Sequence, residues 1–334
     1  MKTSPVDETP AELILNRPRT RPSRVSLAIG VFFGAVVCMA FSLPLLDVND
    51  YWITISYTVA FYIALGQAWN LLSGFTGYLS FAHGAILGIG SYTAGIASNS
   101  GLGYFPALLA AAFAGVVLSL LIGLPSLRLK GIAFAFATIF FQSIALLAVE
   151  KADTITGGPS GLVFETLESI DTSFYSMLAL AVVATLAVFI LRRSRLGLQL
   201  LAIREDELAA RISGLPVTRL KMQAFTVSAV LAAVVGGVHG FYLATLYPQS
   251  VFDLQTSLEA LVIPLVGGPA TAVGPGVIAV VYVVFQESLR GMGSALQLSL
   301  LGVVVVAVVL IARGGLAELA SSLRTRWLIR KGEV

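Results

Sequence analysis

The 334-residue chain is 57% apolar and 12% charged, about half the roughly 25% charge usual in soluble proteins. Its formal net charge of +3 comes from basic residues concentrated in particular loops, so it identifies no partner. Cys38 is the single cysteine, which excludes a disulfide framework and a cysteine metal site. With His83 and His239 as the two histidines, a zinc enzyme is not expected. No GxxxxGK[ST] phosphate loop occurs, so the chain carries no recognisable ATPase. No cofactor of its own and no nucleic-acid partner is expected.

The N-terminal arm, residues 1–24, is polar, proline-rich and basic, and unlike a secretory signal. It reads as a cytoplasmic arm. Long apolar runs with few charges then recur, as in an all-α polytopic membrane protein. Ten spans are predicted: 25–46, 51–72, 80–98, 105–124, 131–149, 173–191, 222–245, 258–266, 272–286 and 295–312. A cytoplasmic tail follows at 313–334. The eighth span is too short to cross alone.

Basic residues accumulate in cytoplasmic loops, and the charges obey that parity. Arg128 and Lys130 follow the fourth span, and the segment 192–221 after the sixth holds seven basic residues. Arg313, Arg324, Arg326, Arg330 and Lys331 follow the tenth. The alternate loops carry Asp47, Asp50, Glu150, Asp153, Glu165, Glu168 and Asp171, with Lys151 as their one basic residue. Both termini are therefore expected inside.

Two spans are interrupted. The stretch TGYLSFAHGAILGIGSYTAG, from Thr76, places glycines at 84, 88, 90 and 95 in the third span, which is expected to break there. The eighth span runs into Pro264, Gly267, Gly268, Pro269, Gly274 and Pro275. Spans two to five and seven to ten each open with a long span followed by an interrupted one, and they start in opposite directions. That is the pattern of an inverted repeat, with discontinuous helices lining a pathway near the midplane. The competing explanation is that these glycines only allow close helix packing. Gly88 and Gly90 are the leading pathway positions, with Ser80 and His83 as nearby polar candidates. A lone histidine such as His83 is more often a structural residue bonded to a neighbouring helix. His239, near the outer end of the seventh span, reads as structural.

Within 192–221, Leu200, Leu201, Leu208 and Ile212 recur at near-helical spacing, with Arg204, Glu205, Asp206, Glu207 and Arg211 between them. One short amphipathic helix is expected, ended by Gly214 and Pro216. Its mixed charge argues against an interfacial helix on anionic lipid. The small Ala209 and Ala210 beside an acidic cluster suit docking into a protein groove.

The chain resembles the branched-chain amino-acid ABC transporter permease family. NLLSGFTGYLSFAHGAILGIGSYTAG is similar to the family's Ser-x-x-His and GxGxY region, here Ser80, His83, Gly88, Gly90 and Tyr92. TGGPSGL (156–162), AIREDELAARISGLPVTRLKMQAFTVSA, VGGPATAVGPG and QESLR match further family motifs. The chain departs from the family in having Leu208 between Glu207 and the alanines of the EAAxxxG pattern. It also has Ala82 and Gly84 around the histidine, and Ala270 where a late GGxG motif has glycine. The resemblance implies a second homologous permease, two ABC ATPase subunits that bind the ATP, and a periplasmic substrate-binding protein, in a bacterial inner membrane. It implies that Arg204, Glu205, Asp206, Glu207, Ala209, Ala210 and Gly214 engage the ATPase, and that Gly267 and Gly268 join Tyr92 on the pathway. Related permeases carry urea, short amides or other amino acids.

The alternatives are an ion-coupled secondary carrier and an intramembrane enzyme. The second lacks any nucleophile–base or metal constellation. The first is disfavoured by an expected absence of Asp, Glu, Lys or Arg well inside any span, since intramembrane charge is costly and kept for function.

The charge parity generates a topology test with single cysteines in a Cys38→Ser background and an impermeant maleimide. A cysteine at Asp206 is expected to stay unlabelled from outside, and one between Asp153 and Ser169 to react. The reverse pattern overturns the assignment.

Overall fold

A computed structural model describes residues 50–165 and 169–289. The arm at 1–24, the spans predicted at 25–46 and 295–312, the tail at 313–334 and Arg290 lie outside these residues. Among the described residues the chain is all-α, apart from one two-residue ladder.

Helix α1 (Asp50–Trp69) opens with an acid in its first turn, where the helix dipole favours it. It continues without a cap into a π-helical turn, Asn70–Gly74. The chain then leaves helical geometry at Gly77, whose φ is +75°, and re-enters it at α2 (His83–Asn99). Helices α3 (Tyr104–Ser126) and α4 (Ile132–Lys151) follow. Beyond them lie α5 (Asp153–Thr156) and the strand β1 (Leu162–Val163). Helix α6 (Ile170–Arg193) is capped by Ser169, which accepts from the Thr172 amide.

The segment predicted to be one amphipathic helix is two, α7 (Arg195–Glu205) and α8 (Glu207–Ile212). Asp206 is extended between them, and its Oδ1 accepts from the amides of Leu208 and Ala209. The capping preference of aspartate overrides the apolar spacing that suggested continuity. Gly214, with φ +82°, turns the chain into α9 (Val217–Leu243). Strand β2 (Thr245–Leu246) pairs antiparallel with β1, Leu162 opposite Leu246. Then come α10 (Pro248–Val251), α11 (Leu254–Gly267) and α12 (Gly274–Ser288).

Five helical segments are long and apolar enough to cross a membrane: α3, α4, α6, α9 and Pro248–Gly267. The count of ten is therefore not reached among the described residues. The eighth span is longer than predicted, because Pro264 is accommodated inside α11 and α10 precedes it.

Helix α9 is the hub, packed most extensively on α2 and α3. The α2–α9 crossing explains the glycines of α2. A Cβ on Gly90 would fall on the Ala233 carbonyl, and one on Gly236 would fall on the Leu87 carbonyl. Two backbones approach that closely only without side chains between them. Consequently α2 runs unbroken through positions 84, 88, 90 and 95, contrary to expectation. The interruption lies upstream, at Gly77–Ala82. The outward faces of α3 and α4 are apolar, with Leu109, Phe113, Leu121, Phe136, Phe140 and Ile144 exposed, as lipid-facing surfaces require.

Side-chain bonds fix which element ends lie together. Tyr51 Oη donates to Glu287 Oε1 at 2.9 Å, and Asn99 Nδ2 donates to the Val163 carbonyl at 2.8 Å. At the other end of the helices, Arg204 Nη1 donates to the Gly74 carbonyl at 2.9 Å. The loop after α4 and the end of α9 thus share one end of the molecule, and α7 and α8 occupy the other. The relative sidedness matches the charge parity.

The second interruption, Gly268–Val273, turns sharply between α11 and α12. Gly268 has φ +102°, and Ala270 has φ +59° although it is not glycine. A left-handed alanine costs about 1–2 kcal/mol. Ala270→Gly is therefore expected to keep or raise the melting temperature of the solubilised protein. Ala270→Val, β-branched at positive φ, is expected to lower it markedly. Equal tolerance of both would contradict the turn geometry.

Candidate functional site

The π-helical turn that leads into the first interruption meets the second interruption. Asn70, on the π-helical turn, donates through Nδ2 to the Thr271 carbonyl at 2.9 Å, and its Oδ1 accepts from the Ala270 amide at 2.8 Å. Gln67 Nε2 donates to the Ala272 carbonyl. Both amides are fully buried, and Asn70 also donates to Gln67 Oε1 at 3.0 Å. Non-helical backbone at membrane depth needs such partners, and two amide side chains supply them.

The first interruption is held in the same way by three other helices. Trp69 Nε1 donates to the Ser80 carbonyl at 2.8 Å, and the Phe81 amide donates to Thr138 Oγ1 on α4 at 3.0 Å. Ser257 on α11 accepts from the Gly84 amide at 2.9 Å, and its hydroxyl lies 3.0 Å from the Phe81 carbonyl. Gln142 on α4 joins this cluster, 2.7 Å from the Ser257 hydroxyl.

The predicted pathway residues separate on this geometry. Ser80, within the interruption, and His83, the first residue of α2, are fully buried. His83 Nε2 lies 2.7 Å from Ser228 Oγ on α9, while Ser228 donates to the Ala68 carbonyl at 2.6 Å. Serine has one hydroxyl hydrogen, so His83 is the donor and carries its proton on Nε2. His83 Nδ1 has no partner among the described residues. Gly88 faces the Phe252 ring, whose nearest atom would lie 2.6 Å from an added Cβ. Gly90 sits at the α2–α9 crossing. Tyr92 donates to the Leu246 carbonyl at 3.1 Å and ties α2 to the ladder. Gly267 lies against Gly274 across the second turn, and Gly268 supplies its positive φ.

The predicted coupling residues also separate. Glu207 and Ala210 turn inward, Arg204 is exposed but reaches the Gly74 carbonyl, Asp206 caps α8, and Glu205, Ala209 and Gly214 are exposed. Glu207 makes the central contact, and sequence spacing did not reveal it. Its Oε2 accepts from Tyr78 Oη at 2.5 Å and from Lys221 Nζ at 2.8 Å, while Oε1 pairs with Arg211 at 2.9 Å. Lys221 also donates to Tyr78 Oη at 2.7 Å and lies 3.9 Å from the Tyr78 ring centroid. Tyr78 belongs to the first interruption and packs edge-on against Phe134. Three elements are thus latched together: α8, the interruption and the foot of α9. Burial alone would push the Glu207 carboxyl up, but its hydrogen bonds from Lys221 and Tyr78 and the Lys221 charge hold it below the ordinary value. The latch is therefore lost on the acid side as the pH falls through that lowered value, and on the alkaline side as Lys221, which burial holds below the ordinary lysine value, gives up its proton. Leu208 and Ile212 remain exposed on α8, at 63% and 79%.

A second carboxylate overturns the expected absence of charge inside the spans. Glu259, one turn into α11, is 9% exposed. It accepts from Tyr62 at 2.7 Å, from Tyr282 at 2.6 Å and from Gln255 at 2.9 Å. The sequence signal was present, a lone Glu within LEALVIPLVGG, and was overlooked because that stretch looked too short to span.

These features define a polytopic helical membrane protein with a buried polar seam between two interrupted segments. The chain belongs to the family described as the permease component of the branched-chain amino acid transport system, which it matches over residues 51–312. It is 28% identical to the high-affinity branched-chain amino acid transport system permease protein LivM of Salmonella typhimurium, over 91% of this chain and 78% of that one. LivM of Escherichia coli K12 is 27% identical over the same shares. The autoinducer 2 import system permease protein LsrC of Enterobacter sp. strain 638 is 29% identical over 64% of this chain and 63% of its own. No solved structure matches.

The latch generates a double-mutant test. The Lys221 side chain is 2% exposed and that of Glu207 15%, so removing one partner leaves a buried charge, at a cost of about 3–5 kcal/mol. Lys221→Met and Glu207→Gln are each expected to lower the melting temperature of the solubilised protein. The double variant is expected to lose less than their sum, with a coupling of about 1–3 kcal/mol. Strict additivity would show that the pair contributes nothing as a pair.

Proposed function

We propose that the chain is one membrane subunit of an ATP-driven ABC importer that moves branched-chain or related amino acids across a bacterial inner membrane. It works beside a second homologous permease, with two ATPase subunits on the cytoplasmic side and a periplasmic protein that delivers the solute. Both termini are cytoplasmic in this reading, and ATP is bound by the partners. Family membership and the LivM relatives support an amino-acid solute. Urea and short amides are the alternative solutes, and the LsrC relative, an autoinducer 2 permease by name, shows how widely such permeases differ.

The observation that carries the reading is the latch. The α7–α8 segment presents exposed Leu208 and Ile212, small Ala209 and acidic Glu205 to a docking partner. It grips the first interruption through Glu207 on Tyr78, and the π-helical turn just before it through Arg204 on the Gly74 carbonyl. A push on α8 therefore reaches the buried seam without passing through a flexible loop. In the seam, His83 Nδ1 is a buried polar atom without a partner among the described residues, and it suits a zwitterion that needs hydrogen-bond partners at its ends and apolar walls between them.

Glu259 is the observation that favours an ion-coupled secondary carrier, since a buried intramembrane carboxylate is a frequent proton relay. The two mechanisms differ in energy source. The whole complex, purified through a tag on this chain and reconstituted in proteoliposomes, is expected to contain an ATPase and to import leucine only with ATP. In the same preparation Glu207→Lys and Gly214→Trp are expected to abolish substrate-stimulated ATP hydrolysis while the chain remains inserted. Uptake driven by a proton or sodium gradient without ATP would select the carrier. Unchanged stimulation in both variants would remove α8 from coupling.

A further inference from the structure

A cavity of about 260 Å³ opens between α1, α9, α10 and α11. It lies at the end of the molecule that carries the β1–β2 ladder, opposite α7 and α8. Its wall is aromatic: Tyr57, Phe61, Tyr62, His239 and Tyr242. Tyr57 and Tyr242 stack with centroids 3.7 Å apart, and Phe61 stacks on His239 at 4.4 Å. The volume falls just below the roughly 300–1,000 Å³ of sites for drug-sized ligands, which suits a small metabolite. Leu87 and Val251 add apolar surface, and Thr256 adds a hydroxyl that makes no hydrogen bond among the described residues.

Tyr62 joins this cavity to Glu259, to which its hydroxyl donates at 2.7 Å. All three recorded partners of Glu259 are neutral donors, and among the described residues no cation pairs with it. A buried carboxylate held only by neutral donors creates a negative field that favours a cation nearby. Aromatic faces attract the same kind of charge. Both features point to one ligand group.

We propose that this cavity is an entry site for the amino-acid solute, with the ammonium against the aromatic wall at Tyr62 and the carboxylate toward Thr256. Glu259 acts through Tyr62 as a positioning residue, fixing the ring and supplying the field that selects a positively charged end. The site rests on the reading of the chain as an amino-acid importer. It adds a basis for distinguishing an amino acid from the corresponding carboxylic acid.

The test uses the whole complex with a reporter cysteine, Leu243→Cys, at the cavity wall in a Cys38→Ser background. Leucine is expected to slow maleimide alkylation of the reporter. Its analogue without the amino group, 4-methylpentanoate, is expected to need roughly tenfold higher concentration for equal protection. Glu259→Gln, and separately Tyr62→Phe, is expected to erase that difference. Should Glu259→Gln fail to assemble, Tyr62→Phe decides alone, because it removes the link and keeps the ring. Equal protection by both compounds before substitution, or a difference that persists in Tyr62→Phe, overturns the site. So does a complex that imports leucine without any protection of the reporter. A complex that imports none of leucine, isoleucine and valine overturns the functional reading itself, and this site with it.

Discussion

Backbone amides and carbonyls freed from helical bonding at membrane depth must find partners inside the protein, and this constraint organises the molecule. Two segments leave helical geometry, Gly77–Ala82 and Gly268–Val273. Asn70 and Gln67 serve the second of them, while Trp69, Thr138 and Ser257 serve the first. The partners come from α1, α4 and α11, so satisfying the backbone also fixes how those helices stand to one another. Close packing of α2 on α9 then brings His83 against Ser228 and closes the seam from the other side.

The same seam links structure to function. Tyr78 belongs to the stretch that Trp69 stabilises and Gly74 to the π-helical turn that carries Asn70, and both are also gripped from the α7–α8 side. A displacement of α8 cannot leave the first interruption in place without breaking the Tyr78–Glu207 bond. Since Asn70 joins the π-helical turn, which Arg204 holds at Gly74, to the second interruption, a displacement of α7 and α8 together extends to the turn before α12.

Much of this was legible in the sequence. The all-α membrane character, the turn after Pro264 and the relative sidedness follow from hydropathy and charge, which act locally. Gly214 ended its helix as its residue type requires. The misses have physical causes. The glycines of α2 looked like helix breakers because propensity sees only the local chain, whereas α9 uses their missing side chains for packing. The divided α7–α8 segment followed from the capping geometry of Asp206, which apolar spacing does not register. Glu207 looked like a surface acid for docking, because its partners Tyr78 and Lys221 lie 129 and 14 positions away. Glu259 likewise depends on Tyr62 and Tyr282, which only the fold brings to it.

The central claim is that the α7–α8 segment and the first interruption move as one body. Spin labels can be placed on exposed Glu205, on exposed Leu79 within the interruption, and on exposed Val163 at the opposite end. Distances measured by electron double resonance in resting and ATP-trapped complexes test the claim directly. The account predicts an unchanged distance between positions 205 and 79, with a change between 79 and 163. A changed distance between 205 and 79, with 79 to 163 fixed, would contradict it.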